Sequence, residues 1–209
     1  MDATSPATPA MRLRQPEDVP GIRALMARVY PPPHGPEAIW SAESLLRHLE
    51  RFPEGQMVVE VESGIIGTST ALRVPMAVAL APHTWSEVTG RGTLSTHDPS
   101  GDALYGANIA VDPAWQGKGI GWLLYQGRLD LARRLGCRAF IAGARIPGYH
   151  RWARELTPEA YVAAVAEGRV TDPTLSKQIR VGFQVRGVLR DYAPDPETLG
   201  HAALIVMDL

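Results

Sequence analysis

The sequence contains a single cysteine, Cys137, in 209 residues. One cysteine cannot close an intramolecular disulfide, and it cannot build a cysteine-based zinc site. This shortage favours a reducing compartment, so we expect a cytoplasmic protein. Cys137 follows Gly136 and precedes an apolar run. We interpret it as a packing or loop residue rather than a reactive thiol.

The sequence also lacks an excess of charge of either sign, because 21 basic and 22 acidic residues leave a formal net charge of -1. Without a positive excess or a Lys/Arg run, the sequence predicts no nucleic-acid partner. No stretch approaches the 18 or so uninterrupted apolar residues of a membrane span, so no membrane association is predicted. Met1–Ala10 lacks the basic start and apolar core of a secretory signal. We expect a soluble protein.

Hydrophobic periodicity and turn residues predict an α/β fold with a mixed sheet. Residues 1–10 read as a disordered tail, and 11–209 as a single domain. The stretch 75–101 reads as a long irregular loop. Asp18 is the expected N-cap of the first helix. Strands are predicted at 11–14, 57–62, 65–74, 104–111, 139–144, 183–185, 188–192 and 202–207. Five helices are predicted: one after Asp18, one at 41–51, one after the glycines near 120, one that begins near 157 and one that begins near 172.

A glycine-rich loop, Gln116-Gly117-Lys118-Gly119-Ile120-Gly121, joins a buried strand to a long helix. Alternate glycines let backbone N–H groups converge, and the helix start adds free N–H groups, so the loop suits phosphate oxygens. A Walker A motif would need glycine at position 112, which is Asp, and Ser or Thr after Lys118. A Rossmann motif would need glycine at position 122, which is Trp. Both of these nucleotide motifs fail on spacing.

The loop closely resembles the coenzyme A signature of the GNAT acetyltransferases, Gln/Arg-x-x-Gly-x-Gly/Ala. The similarity extends to Val111-x-Pro113-x-Trp115 before it, the Leu-rich helix after it and the late Gly182-Phe183 pair. The segment from Asp172 to Tyr192 looks most like GNAT domains fused to carbon–nitrogen hydrolases. The resemblance implies a GNAT fold, with splayed middle strands in a mixed central sheet and helices on both faces, and acetyl-CoA as cosubstrate.

The resemblance also implies a set of coenzyme A contacts. Main-chain groups of the strand before the loop would pair with the pantetheine arm, and an N–H near Ile109 would polarise the thioester. Loop amides would hold the pyrophosphate. The implied cofactor-binding residues are Ile109, Ala110, Val111, Gln116, Gly117, Lys118, Gly119, Ile120 and Gly121.

The proton-transfer residues are harder to assign. Where many family members have Tyr, this sequence has Gln178, and where an Asn is common it reads Arg145-Ile146-Pro147. Because an alkyl amine with a pKa near 10 must lose a proton before it attacks, some group has to act as base. The substitute candidates are Tyr149, Tyr105 and Glu62. No metal site is predicted.

The sequence therefore predicts an N-acetyltransferase that moves an acetyl group directly from acetyl-CoA to an amine. The acceptor would be a small molecule or a peptide, with its pocket shaped by 75–101 and 145–181. The prediction admits a homodimer. Two alternatives stay open. The unmatched acid and base leave room for a non-catalytic acyl-CoA sensor, and the likeness to GNAT domains fused to carbon–nitrogen hydrolases leaves room for a module that interacts with a partner protein.

Overall fold

A computed structural model describes residues 8–35 and 38–209. Most of the predicted tail lies outside the described residues, and Ala10, its last residue, is the first residue of the first strand. The strands are β1 (Ala10–Leu13), β2 (Gln56–Val61), β3 (Gly64–Val74), β4 (Ala103–Val111), β5 (Ala139–Arg145), β6 (Gln184–Leu189) and β7 (Ala202–Asp208). The helices are α1 (Val19–Val29), α2 (Ala42–Arg51), α3 (Met76–Leu80), α4 (Trp85–Val88), α5 (Ile120–Arg134), α6 (Pro158–Ala166) and α7 (Leu175–Arg180).

The strands form a mixed seven-stranded sheet in the order β1-β2-β3-β4-β5-β7-β6. β4 and β5 are parallel, as expected for two strands joined by a crossover helix, here α5. β1–β2, β2–β3, β5–β7 and β6–β7 are antiparallel. The predicted α/β class with a mixed sheet is therefore confirmed. The β4–β5 register runs only from Ala103↔Ala139 to Gly106↔Ala142, although β4 itself continues to Val111.

The first of two compact units comprises the chain up to Ala71 together with Asn108–Leu131. Its core includes Ile22 and Leu25 of α1 and Val58 of β2, none of them measurably exposed. Helix α5 approaches the strands closely at Gly127, where an added Cβ would lie 2.7 Å from the Met11 side chain. The atoms nearest to that Cβ position are the flexible ends of the Met11 and Met57 side chains, so α5 packs against two methionines of β1 and β2 here.

Asp18 is the N-cap residue of α1, as predicted, but its side chain makes no capping hydrogen bond to the helix. Asp18 has helical backbone angles. Its carboxylate instead accepts from the Gln15 N–H at 2.7 Å and binds the Arg12 guanidinium at 2.6 and 2.8 Å. A 3-10 turn at Pro16–Asp18 precedes the helix, so the chain turns earlier than expected. Hydrogen bonds from Arg12 hold the pKa of Asp18 below its ordinary value.

The second unit comprises Leu72–Ala107 and Ala132–Leu209. The stretch 75–101, predicted as irregular, contains the short helices α3 and α4. Helix α4 begins at a capping box in which Thr84 accepts from the Glu87 N–H and the Glu87 side chain accepts from Thr84. The two strands predicted at 183–185 and 188–192 are one strand, β6. The register of the β6–β7 pairing shifts between Val185 and Gly187, and this shift divides the strand into the two parts that the sequence predicts as separate strands.

Cys137 lies in the second unit, at the start of the connection from α5 to β5. It is buried, and its N–H donates to the Ala132 carbonyl at 2.9 Å. Burial raises the pKa of its thiol. Gly136, at φ 66°, ends α5 just before it, as the sequence predicts.

None of the helices in residues 8–35 and 38–209 is both long and apolar enough to cross a bilayer.

Candidate functional site

The glycine loop belongs to the first unit and is anchored by Asp112, the residue that follows β4. The Asp112 N–H donates to the Ile66 carbonyl of β3 at 2.9 Å, and its side chain accepts from the Ala114 N–H at 2.9 Å and from Arg28 Nε at 2.8 Å. Burial raises the pKa of Asp112, but the bonds from Ala114 and Arg28 outweigh it, so the net pKa is lowered. Asp112 is thus an ionised residue that fixes where the loop leaves the strand.

The loop glycines have the backbone geometry that the sequence pattern requires. Gly117 has φ 75° and Gly119 has φ 85°, in the left-handed region that favours glycine. No atom lies within 4 Å of a Cβ built at either position, so the backbone there is open to a ligand. Ile120, the first residue of α5, is buried, and its contribution to a ligand would come from its backbone N–H. The loop and the helix start together can hold an anion.

Two side chains of the loop already have partners. The ammonium of Lys118 lies 4.9 Å from the centre of the Trp115 ring, a cation–π distance. The side-chain amide of Gln116 donates to the Val111 carbonyl at 3.3 Å. Lys118 is exposed, and its ammonium lies over the Trp115 ring beside the loop.

The segment of β4 before the loop is braced from α5. Arg128 is buried, lies over the Tyr125 ring at 4.5 Å, and donates to the Asn108 carbonyl at 3.5 Å. The Asn108 side chain donates to the Tyr30 hydroxyl at 3.4 Å. Ile109, Ala110 and Val111, the residues predicted to pair with pantetheine, follow directly; Ala110 is buried and its neighbours are half-buried.

In the second unit, Tyr105 belongs to an aromatic cluster of His83, Trp85, Tyr105 and Tyr192. The Tyr105 hydroxyl lies 2.8 Å from His83 Nε2 and 2.9 Å from the Tyr192 hydroxyl. The Trp85 N–H donates to the Tyr192 carbonyl at 2.7 Å, and its indole N–H donates to the Ala107 carbonyl at 2.9 Å. The structure thus brings Tyr105 together with residues from two other segments of the chain.

The proton positions in this cluster follow from its acceptors. His83 Nδ1 lies 2.8 Å from the Ala81 carbonyl, which can only accept, so Nδ1 carries the proton. In the neutral ring Nε2 therefore accepts from Tyr105, and Tyr105 accepts from Tyr192. Burial lowers the pKa of His83, and it raises the pKa of Tyr105 and of Tyr192. The cluster is uncharged at neutral pH.

The lowered pKa of His83 predicts acid sensitivity. The unfolded chain binds a proton near pH 6.5, whereas folded His83 resists it, so this contribution to stability is full above pH 6.5 and declines as the pH falls below it. When the pH is lowered from about 7.5 to about 5.5, the free energy of unfolding of His83→Gln is expected to fall by less than that of the wild type. Urea titrations at the two pH values measure both changes. His150→Gln removes an exposed histidine and should retain the wild-type pH dependence. Equal losses in all three proteins would contradict the assignment.

Tyr149 lies in a separate part of the second unit. It is buried, donates to the Leu156 carbonyl at 3.2 Å, and packs against the rings of Tyr161 and His201 at 5.4 and 5.9 Å. Burial raises the pKa of its hydroxyl. Since the contacts of Tyr149 differ from those of Tyr105, these two candidates belong to different clusters. A catalytic role for either stays a prediction.

Glu62, in the first unit, lies in the turn of the β2–β3 hairpin rather than on the predicted strand, because β2 ends at Val61. Its side chain is exposed. Glu60, on β2 itself, is bound to the Arg12 guanidinium at 2.6 and 2.9 Å. The role proposed for Glu62 as a base stays a prediction.

Asp172 organises the segment that carries Tyr149, and no motif singles it out beyond a predicted helix start. Its carboxylate is 1% exposed and accepts four hydrogen bonds. One oxygen accepts from the Gly148 N–H at 2.9 Å and the Tyr161 hydroxyl at 2.8 Å, and the other accepts from the N–H groups of Thr174 and Leu175, each at 2.8 Å. Asp172 therefore fixes the chain after β5 to the start of α7.

Sequence reasoning also missed His83 and Tyr192 as members of one cluster. A signal was present for His83: the pattern Thr84-x-x-Glu87 marks a helix start and places His83 just before it. No local signal joins Tyr192 to Tyr105, because 87 residues separate them.

Comparisons with known proteins identify a family model and several similar chains. Residues 19–156 match the model of the acetyltransferase (GNAT) family. Over 188 residues the chain is 34% identical to the uncharacterized N-acetyltransferase YkwB of Bacillus subtilis (strain 168), covering 90% of this chain and 83% of YkwB. Over 156 residues it is 40% identical to the probable hydrolase YhcX of the same organism, covering 75% of this chain but only 30% of YhcX.

Among solved structures, the chain is similar to the GphF GNAT-like decarboxylase in complex with isobutyryl-CoA. The two share 30% identity with a TM-score of 0.79, over 95% of this chain and 98% of that one.

Proposed function

Since the chain belongs to the acetyltransferase (GNAT) family of enzymes, we propose that it binds acetyl-CoA at the Gln116–Gly121 loop and transfers the acetyl group directly to an amine. The observation that carries this proposal is the open, left-handed backbone at Gly117 and Gly119, immediately before α5. Such a loop offers N–H groups to a pyrophosphate without a side chain in the way. Lys118, held on the Trp115 ring, adds a positive charge beside it.

The remaining contacts extend back along β4. The pantetheine arm would pair with main-chain groups of Ile109, Ala110 and Val111. The Ile109 N–H would donate to the thioester oxygen as negative charge develops there. The brace from Arg128 to the Asn108 carbonyl supports this role, because it fixes the backbone one residue earlier.

In the transfer step the amine nitrogen bonds to the thioester carbonyl carbon, the carbon–sulfur bond breaks, and the amine proton ends on the departing thiolate. Positioning the two substrates supplies much of the rate. Tyr149, Tyr105 and Glu62 stay the candidates for moving the proton. The buried, fully bonded hydroxyl of Tyr105 favours a positioning role for that residue.

The test is release of free coenzyme A thiol from acetyl-CoA in the presence of a panel of amines: an alkyl diamine, an aryl amine, amino acids and short peptides. We expect thiol release that depends on one amine class and exceeds the rate without amine. Binding of acetyl-CoA without turnover on any amine would contradict the transferase proposal and favour a sensor or a partner-interaction module.

A second candidate function is decarboxylation of an acyl-CoA, and the likeness to the GphF GNAT-like decarboxylase favours it. The two reactions have different products. Decarboxylation of a carboxylated acyl-CoA releases carbon dioxide, leaves the thioester intact and needs no amine. Carbon dioxide release from malonyl-CoA without free thiol would replace the transferase proposal with this one.

A further inference from the structure

Arg14, the residue that follows β1, carries a guanidinium that is buried within the first unit. Its backbone N–H donates to the Gln56 carbonyl of β2 at 3.0 Å, and the residue is 2% exposed. The Nη2 group donates to the hydroxyl oxygens of Thr68 and Thr70 at 3.1 and 3.0 Å, and it lies 3.5 Å from the Ser69 carbonyl. One nitrogen of the guanidinium is thus surrounded by oxygens of β3.

The other two nitrogens of this guanidinium have no hydrogen-bond partner in the part of the chain that the structure describes. Nε and Nη1 are both buried, and they carry most of the five N–H donors of the group. The carboxylate of Asp18 is hydrogen-bonded to Arg12 and to the Gln15 N–H, so it acts on this guanidinium only through its charge. Burial lowers the pKa of Arg14 to about 10, so the group is still charged at neutral pH.

A buried cation with unused donors is unfavourable unless a partner of opposite charge lies beside it. Charges in protein interiors are paired, and a buried N–H without an acceptor loses the hydrogen bond that water would have given it. Gln56 is opposite Thr70 in the sheet and on the same face as Arg14, and its Oε1 also lacks a partner among residues 8–35 and 38–209. A neutral oxygen does not offset a full charge. The unused donors therefore suit an anion better than a neutral molecule.

The surroundings of the guanidinium limit such an anion to a small one. Gln56 and Thr70 are 0% and 1% exposed, and the Gln56 side-chain amide already donates to the carbonyls of Phe52 and Ala71 at 2.9 and 3.1 Å. Protein interiors are closely packed and contain few spaces larger than a water molecule. Phosphate has several oxygens that each need a donor, whereas a single-atom anion is satisfied by the N–H groups that are present.

We propose that Arg14 binds a chloride ion inside the first unit, beside the hydroxyl groups of Thr68 and Thr70, and that chloride stabilises the folded protein through this site. A ligand that binds the folded chain and not the unfolded one raises the melting temperature as its concentration increases. The site shares no residue with the glycine loop, so it can be tested whether or not the protein transfers an acyl group.

Thermal unfolding in sodium chloride and in sodium gluconate of equal ionic strength tests the site. Arg14→Met removes the charge and keeps an unbranched chain, a kind of change that proteins often tolerate at buried charges. Arg23→Met removes an exposed arginine of α1 and is the matched control. The quantity compared is the melting temperature in chloride minus that in gluconate. We expect it to be at least about 3 °C higher in the wild type and in Arg23→Met than in Arg14→Met.

A second measurement locates the ion directly and needs no variant. Crystals of the wild-type protein are soaked in bromide, which replaces chloride and scatters anomalously. We expect an anomalous peak beside the Arg14 guanidinium. Density there without an anomalous signal would identify a water molecule and overturn the proposal, as would an equal chloride effect in all three proteins. If Arg14→Met does not fold, the bromide measurement alone decides.

Discussion

Replacing Gly119 by alanine is expected to weaken coenzyme A binding by at least about tenfold. Alanine in this backbone conformation costs about 1–2 kcal/mol, so the loop relaxes away from the geometry in which its N–H groups converge. Gly119 has φ 85°, and the space around its Cα is open. The added methyl therefore clashes with nothing in the protein. Its effect falls on the loop conformation and on the approach of a phosphate. Calorimetry with coenzyme A measures the change.

Gly168 provides a matched control. It has φ 75°, no atom lies within 4 Å of its Cβ position, and it follows α6, far along the chain from the loop. Gly168→Ala therefore carries the same kind of backbone strain without touching the proposed phosphate site. We expect both variants to lower the melting temperature to a similar extent and only Gly119→Ala to raise the dissociation constant. Wild-type affinity in Gly119→Ala would show that this loop does not hold coenzyme A.

Removing the carboxylate of Asp172 is expected to lower the free energy of unfolding by about 4 kcal/mol. Asp172→Ala leaves the N–H groups of Gly148, Thr174 and Leu175 and the Tyr161 hydroxyl without their acceptor, in a place where the side chain is 1% exposed. Tyr161→Phe removes one of the four bonds and should cost about 1 kcal/mol. Urea unfolding followed by circular dichroism measures both changes.

Asp208 is the control for this series. It lies at the end of β7 in the same unit, exposed, with a 3.4 Å contact to Arg186. Because exposed ion pairs contribute little, Asp208→Ala should change the unfolding free energy by less than about 0.5 kcal/mol. If Asp172→Ala were no more destabilising than Asp208→Ala, the four hydrogen bonds would not be what holds this segment. If Asp172→Ala does not fold, Asp172→Asn, which keeps one acceptor oxygen, gives the measurable intermediate.

The glycine loop could be predicted from sequence because its determinants are local. Alternate glycines, a strand before them and a helix after them lie within a few residues, and the left-handed angles at Gly117 and Gly119 follow from that pattern. The order of strands and helices was predictable for the same reason. Asp18 shows the limit: its position at the start of α1 was predictable, but the binding of its carboxylate to Arg12 and to the Gln15 N–H was not.

The rest of the candidate site depends on contacts between distant residues. His83 and Tyr105 are 22 residues apart, and Tyr105 and Tyr192 are 87 apart. No periodicity in a single sequence connects such positions, because each residue alone also fits an ordinary packing or loop role. The same holds for Asp172, whose bond to Gly148 spans 24 residues. The site that depends on one short motif could be predicted from the sequence, whereas the side-chain clusters assembled from several segments could not.

The burial of Cys137 has a practical consequence for measuring this enzyme. Because its thiol is buried and its pKa is raised, it reacts slowly with the disulfide reagents used to detect free coenzyme A. The colour that develops in such an assay then reports product rather than protein. A cysteine introduced on the surface would be the single fast-reacting thiol, which allows a fluorophore to be attached at a chosen position without first removing the native one.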